Sequence, residues 1–214
     1  MKRTKHLQFA DLVARVQRCH LCPRMQDRRK VLGPPNGNLD SPIVFIAEAP
    51  GRLGADKFGI PLHGDQTGRN FELLIASAGL SRESIFITNA VLCNPRTSIG
   101  NNDSPTLTEI RNCSRYLAEV LEIVKPRYII PLGRVALTSL GAIEPHEISL
   151  AQGVGKEFSW HGYLVHPLFH PGPRTFVRRT KAQQMEDYGI IAQLLDHLQS
   201  TACLLPRLLH KEVK

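Results

Sequence analysis

The segment PIVFIAEAP (42–50) decides the fold. Its unbroken apolar run, Ile43 to Ala47, stops at Glu48 and a Pro-Gly turn, the pattern of a short strand buried on both faces. Three further runs read the same way: SIFITNAVL (84–92), RYIIPLG (127–133) and YLVHPLFHP (163–171), the last with KEFSW (156–160) as a possible pairing partner. Helical spacing fills the intervals. Phe9, Leu12, Val13 and Val16 open the chain with a short amphipathic helix, residues 67–79 form a helix ending at Gly79, and another covers 134–140. Ser104 and Pro105 offer an N-cap and first turn for a helix whose core face is Leu107, Ile110, Leu117, Val120, Leu121 and Val124. A final helix turns Met185, Ile191, Leu194, Leu195 and Leu198 inward. The expectation is an α/β fold, a three-layer sandwich with a central, mainly parallel four-stranded sheet flanked by helices. In such sheets the site lies beyond the carboxyl ends of the strands, here in loops 47–68, 89–104 and 169–178.

The 214 residues suit a single domain over 1–214, with a basic segment at 1–30 and a C-terminal tail from about 200. An apolar share of 42% supports a core, and charged residues at 21% are too few for a disordered chain. No stretch approaches the roughly 18 apolar residues of a membrane helix. The start, MKRTKHLQFADLV, lacks a signal peptide's apolar core, so a cytoplasmic protein is expected. The formal charge is +8, and residues 1–30 carry a net of +7. PGPRTFVRRTK (171–181) adds Arg174, Arg178, Arg179 and Lys181 with no acid. Clustered charge beside proline and an aromatic suits a phosphate backbone; a merely basic surface is the plainer reading.

Four of the five cysteines are arranged suggestively: Cys19-x₂-Cys22, then Cys93 after a strand and Cys113 within a helix. Four thiolates suit tetrahedral zinc or an iron–sulfur cluster; buried free thiols or a redox pair are the alternatives. The spacing is not that of a zinc ribbon, and Cys203 stands outside the set.

Three loops hold residues that a plain fold does not require. In AEAPGRLGADKFGIPLHGDQTG (47–68), Asp56 and Asp65 are candidate bases, and glycines let backbone amides approach a ligand. Asn89 ends an apolar run, and its amide presents both a donor and an acceptor, enough to read a base edge. His170, fixed by a proline turn, could stabilise a developing anion. His146, His161 and His166 have no comparable setting and read as structural or exposed.

Cys19-x₂-Cys22-Pro23-Arg24, AEAPG (47–51), GIPLHGDQTG (59–68), ITNAVLCNP (87–95), the Cys113 helix and HPGPR (170–174) occur in the order of the uracil-DNA glycosylase superfamily. Over about residues 15–195 the chain resembles its iron–sulfur branch, the thermophile-type families four and five. The long first loop is closer to the fifth family, while AEAPG and ITNAVxCNP are closer to the fourth.

The resemblance implies a monomeric, monofunctional enzyme that excises uracil from DNA, leaving an abasic site, with a [4Fe-4S] cluster on Cys19, Cys22, Cys93 and Cys113. His170 would donate to uracil O2, and Asn89 would accept from N3–H and donate to O4. The Glu48-Ala49-Pro50 turn would hold the base, and Asp65, with Asp56 as its rival, would orient water. Arg174, Phe176, Arg178, Arg179 and Lys181 would contact DNA, with Phe176 or Pro173 as the wedge. Two departures stand out. Leu62 replaces the family's usual phenylalanine that stacks on uracil, leaving Phe58 as a substitute, and the usual HPS reads His170-Pro171-Gly172. They leave open hypoxanthine, xanthine or another damaged base as the released base, and an iron–sulfur protein that recognises damage without cutting; a zinc-stabilised binding domain is a third alternative.

Overall fold

A computed structural model describes residues 4–209, with side chains to Leu195. Leu198 and Cys203 therefore lie outside the described side chains. Strands β1 (Ile43–Ala47), β2 (Phe86–Asn89), β3 (Tyr128–Pro131), β4 (Phe158–Trp160) and β5 (Tyr163–Val165) form one sheet in the order β2-β1-β3-β5-β4. All neighbours are parallel except β4, which runs antiparallel to β5. The sheet thus has five strands rather than four, because KEFSW closes a hairpin onto β5. Trp160 pairs with Tyr163 across His161-Gly162, both at positive φ (48° and 81°), as a two-residue primed turn requires. A histidine at such a φ is uncommon, so the turn was poorly marked in the sequence.

The helices are α1 (Lys5–Gln17), α2 (Ala55–Phe58), α3 (Gln66–Ser77), α4 (Leu107–Val124), α5 (Arg134–Gly141), α6 (Leu150–Gly153) and α7 (Lys181–Leu209). The C-terminal stretch expected as a tail from about 200 is helical through Leu209. Among the described residues no helix is long and apolar enough to cross a membrane.

Alternation along the strands divides the core between the two faces. Val44, Ile46, Phe86 and Ile129 pack with Leu12 and Val16 of α1, Leu117 and Val120 of α4 and Leu140 of α5. Ile43, Phe45, Ile87 and Ile130 pack on the other side with Phe71 and Leu74 of α3 and Tyr188 and Ile191 of α7.

Two helices differ from the sequence reading in register. α4 starts at Leu107 because Thr106 and Glu109 close a capping box, Glu109 N donating to Thr106 Oγ1 (3.3 Å) and Thr106 N to Glu109 Oε2 (2.8 Å). That reciprocal pair outcompetes Ser104-Pro105. On α7 the buried stripe is Gln184, Asp187, Tyr188 and Ile191, leaving Met185 exposed. Asp187 is held there by the Arg179 guanidinium, whose Nε donates to Oδ2 at 2.9 Å.

β1 lies between β2 and β3, and the crossovers to them pack on opposite faces: α3 with the Phe45 side, α4 with the Val44 side. The carboxyl end of β1 is therefore the topological switch point of the sheet.

Phe45 is fully buried, its ring centroid 5.3 Å from Phe71 and 6.1 Å from Tyr188. Phe45→Ala should cost about 3–5 kcal/mol, read as a lowered urea midpoint with an unchanged slope.

Candidate active site

A cavity of about 180 Å³ opens at the end of β1, lined by Glu48-Ala49-Pro50, Leu62, Asp65 and His170. The long 47–68 loop and the segment after β5 supply these side chains. Asp65 caps α3, its Oδ1 accepting from Gly68 N at 2.9 Å. Its Oδ2 sits so close to the first loop that a Cβ on Gly51 would meet it at 2.8 Å, and one on Gly54 at 2.6 Å. Glycine at both positions is what lets the loop close over the carboxylate.

His170 follows β5 and stands in the electrostatic field of Asp65. Part of its surface stays open to the cavity, yet protein packs densely around it. That desolvation pushes the imidazole down to about 4, against the opposing pull of Asp65. The ring is therefore neutral near pH 7. Nδ1 accepts from Gly172 N at 3.1 Å, so the single ring proton of the neutral form is on Nε2. A Cβ at residue 172 would lie 2.9 Å from Nδ1, so the glycine of the HPG sequence gives this hydrogen bond its room.

Burial raises the Glu48 carboxyl above its ordinary range, with a hydrogen bond from the Ser104 side chain in partial opposition. Leu62 walls the cavity at a φ of +48°, uncommon for leucine, and its carbonyl accepts from Arg82 Nη2. Phe58 is not in the lining; about half exposed, it packs edge-on to His63.

The two aspartates differ in setting. Asp56 is not in the lining: its Oδ2 accepts from Arg96 Nη2 at 2.5 Å, and its Oδ1 is buried without a hydrogen-bond partner among the described residues. Arg96 Nε in turn donates to Asn94 Oδ1 at 2.6 Å, while Asn94 Nδ2 donates to Pro50 O at 2.6 Å. Asn94 lines the cavity and was missed in the sequence reading, although it stands in the ITNAVLCNP stretch. Asn89 is 2% exposed and also not in the lining; its buried Nδ2 has no hydrogen-bond partner among the described residues.

In the segment after His170, Arg174, Arg178 and Lys181 are exposed, whereas Arg179 is turned inward to Asp187. Phe176 is half-buried; Val177 beside it, 90% exposed, is the more prominent apolar side chain. Much of the N-terminal positive charge is paired within the protein: Lys5 with Asp40, Arg15 with Glu119, Arg24 with Asp103 and Glu109, Arg28 with Asp27. His146 is structural, bonding Leu137 O and Ile148 N; His166 is buried and bonds Glu157 at 3.1 Å; His161 is exposed.

Cys19, Cys22, Cys93 and Cys113 are all free and half-buried. They come from the end of α1, the turn after it, the segment after β2, and α4, and the last three pack around Met25, Val91 and Ile110. Burial pushes the Cys93 and Cys113 thiols up to about 12, with the other cysteines adding to the rise. Buried thiols of this kind become thiolates only against a compensating cation. Leu92 N donates to Cys113 Sγ (3.4 Å) and Asn112 Nδ2 to Cys22 Sγ (3.6 Å), the outer bonds that metal-held sulfur takes. Four soft donors with such support fit a thiolate-held centre. Among the described residues no three ligating side chains close around a single metal ion.

This sheet, with a carboxylate and a neutral histidine facing one cavity at its switch point, defines a class of α/β proteins with a small-molecule pocket at the strand ends. The family model of the uracil DNA glycosylase superfamily matches residues 34–189, and the chain belongs to that family. It is 33% identical over 172 residues to the type-4 uracil-DNA glycosylase of Thermotoga maritima, covering 80% of this chain and 83% of the relative. It is 34% identical over 191 residues to the type-4 enzyme of Saccharolobus solfataricus, covering 86% of each. A type-5 uracil-DNA glycosylase of Pyrobaculum aerophilum is 28% identical over 197 residues, covering 77% of this chain and 83% of the relative.

The depressed His170 pKa has a definite sign. Between pH 6.5 and about 4 the unfolded chain binds a proton that the folded chain does not, so this group's stabilising contribution is intact above 6.5 and lost as pH falls towards 4. Any rate that depends on neutral His170 should show no inflection near pH 6.5, holding level from pH 8 to about 5 in a single-turnover profile.

Proposed function

We propose that this chain is a monofunctional DNA glycosylase that hydrolyses the N-glycosidic bond of uracil in DNA. It acts as a monomer in the cytoplasm, wherever the DNA is held. The observation that carries the reading is a neutral Nε2–H imidazole sharing one cavity with a carboxylate. As the bond between C1′ and N1 breaks, its electron pair moves onto the base, and negative charge collects on O2. His170 Nε2–H donates to that oxygen without an ionisation step, and a preorganised donor of this kind contributes about 3–4 kcal/mol. Asp65 steadies the positive sugar and orients a water that attacks C1′, taking the proton it loses.

Asn89 sits behind the lining of the cavity, and reading N3–H and O4 requires the entering base to reach its amide; the buried Nδ2, unpartnered among the described residues, supports this, since an orphaned donor costs about 1–3 kcal/mol unless a ligand receives it. The Glu48-Ala49-Pro50 backbone holds the base, and Leu62 supplies an apolar wall. The ion pair of Asp56 with Arg96 argues for a supporting role, fixing the Asn94 wall. The flipped nucleotide is reached from a segment carrying the exposed Arg174, Arg178 and Lys181, and the exposure of Val177 favours it over the half-buried Phe176 as the wedge, with the exposed Pro173 beside it. Cys19, Cys22, Cys93 and Cys113 would hold a [4Fe-4S] cluster that pins the N-terminal segment to α4 and the end of β2. Bound there, the cluster supplies cross-linking rather than chemistry on the base.

Purified protein should release uracil from oligonucleotides carrying one uracil, and His170→Ala should lower the single-turnover rate about 10²–10³-fold. Release of hypoxanthine or xanthine alone would mean a different base. DNA binding with no release of any base would make the protein a non-cutting recogniser.

The purified protein should also contain iron and acid-labile sulfide in equal amounts and be brown. Cys19→Ser should lower the melting temperature while the folded fraction keeps its rate; a colourless zinc protein would exclude the cluster.

A further inference from the structure

Leu62 and His63 are consecutive residues of the first loop, and both line the cavity at the end of β1. Gly59 and Gly64, on either side of them, take positive φ (75° and 84°), as glycine readily does. Leu62 at +48° has no such freedom, and a leucine stays in that sparsely populated region only when its surroundings hold it there. Two contacts do so. α3 lies directly against the peptide that joins Leu62 to His63: a Cβ on Gly68 would meet Leu62 O and His63 Cα at 2.8 Å each. The second contact is the hydrogen bond that Leu62 O accepts from Arg82 Nη2, across 20 residues of chain.

Arg82 belongs to the short turn Arg82–Ser84 between α3 and β2, and α3 fixes its guanidinium twice. Nε pairs with Glu72, and the guanidinium carbon lies over the Phe71 ring, 5.8 Å from its centroid. Held at both points, the planar fork aims Nη2 at the Leu62 carbonyl. Nη1 is buried with no hydrogen-bond partner among the described residues, so the group sits deeper than pairing with the half-exposed Glu72 alone would require. Arg82 itself is not in the cavity lining. Its reach to the cavity runs through the Leu62 backbone.

We propose that Arg82 is a positioning residue for base binding, acting through the backbone of Leu62. Its hydrogen bond keeps the 62–63 peptide turned so that Leu62 walls the cavity and His63 stands beside it. Without that donor, Leu62 relaxes to the negative φ that leucine prefers, and its side chain leaves the wall. Only the fraction of molecules that still holds the turn then receives a base, and apparent affinity falls by that fraction. The inference rests on the reading above of this cavity as one that takes a nucleobase.

The test uses Arg82→Lys, which keeps a cation for Glu72 and loses the second arm of the fork. The backbone carbon-13 shift of Leu62 should move from the left-handed towards the extended range in this variant. Free uracil, measured by equilibrium dialysis, should bind about tenfold more weakly, as for a turn about one-tenth populated. Leu62→Gly takes a positive φ unaided, so adding Arg82→Lys to it should weaken uracil binding no further; Leu62→Asn serves the same comparison. A merely structural arginine would weaken binding equally in both backgrounds. An unmoved Leu62 shift in Arg82→Lys, or a tenfold loss that persists in full on Leu62→Gly, would overturn the role. If the unaltered protein binds no uracil, the uracil reading falls on its own. Hypoxanthine and xanthine are then dialysed in its place, and the Leu62 shift still decides whether Arg82 holds the turn.

Discussion

β1 is hydrogen-bonded along both edges, to β2 and to β3, and covered on both faces by helices. Backbone polar groups there find their partners only if those two strands are in register, so the centre of the molecule is fixed before any loop is placed. Chain leaving β1 at Glu48 enters the one region of the sheet from which the crossovers diverge. The cavity is a consequence of that divergence. β2 delivers Asn94 to it, the segment after β5 delivers His170, and the cap of α3 delivers Asp65.

Space and protonation are then set by small features. Glycines at 51 and 54 accommodate the Asp65 carboxylate, and Gly172 allows a backbone N–H to reach His170 Nδ1. Dense surroundings keep that ring neutral. Arg24 joins two otherwise separate parts of the molecule, its guanidinium bonding Asp103 and Glu109 at 2.6–2.7 Å from a position two residues after Cys22. Asp103 lines the cavity, so the cysteine region and the cavity wall share an ion-pair network.

Strands buried on both faces were legible because an unbroken apolar run has few other readings. The β4–β5 hairpin was less so, since its turn places His161 at a φ that glycine or asparagine would have signalled. α4 began two residues late because the chain held two overlapping N-cap signals, and only tertiary context could rank them. In the cavity, Asp65, Leu62, His170 and the Glu48 turn were found through loop position and motif. Asn94 was not: it is an asparagine in a stretch already credited to Asn89. Asp56 and Arg179 show the converse limit. Each looked available in the sequence, and each is committed to an oppositely charged partner 40 and 8 residues away.

Leu62 narrows the routes open to this pocket over time. Its φ of +48° is held in place by the Arg82 contact to its carbonyl. Valine, isoleucine and threonine are disfavoured there by the backbone alone, however well they would suit the cavity, whereas asparagine and glycine are the residues most at ease. Drift at this position is thus filtered first by main-chain geometry and only afterwards by the molecule that the cavity receives. A lineage could exchange leucine for an aromatic ring and back while a whole class of similarly sized aliphatic side chains stayed out of reach.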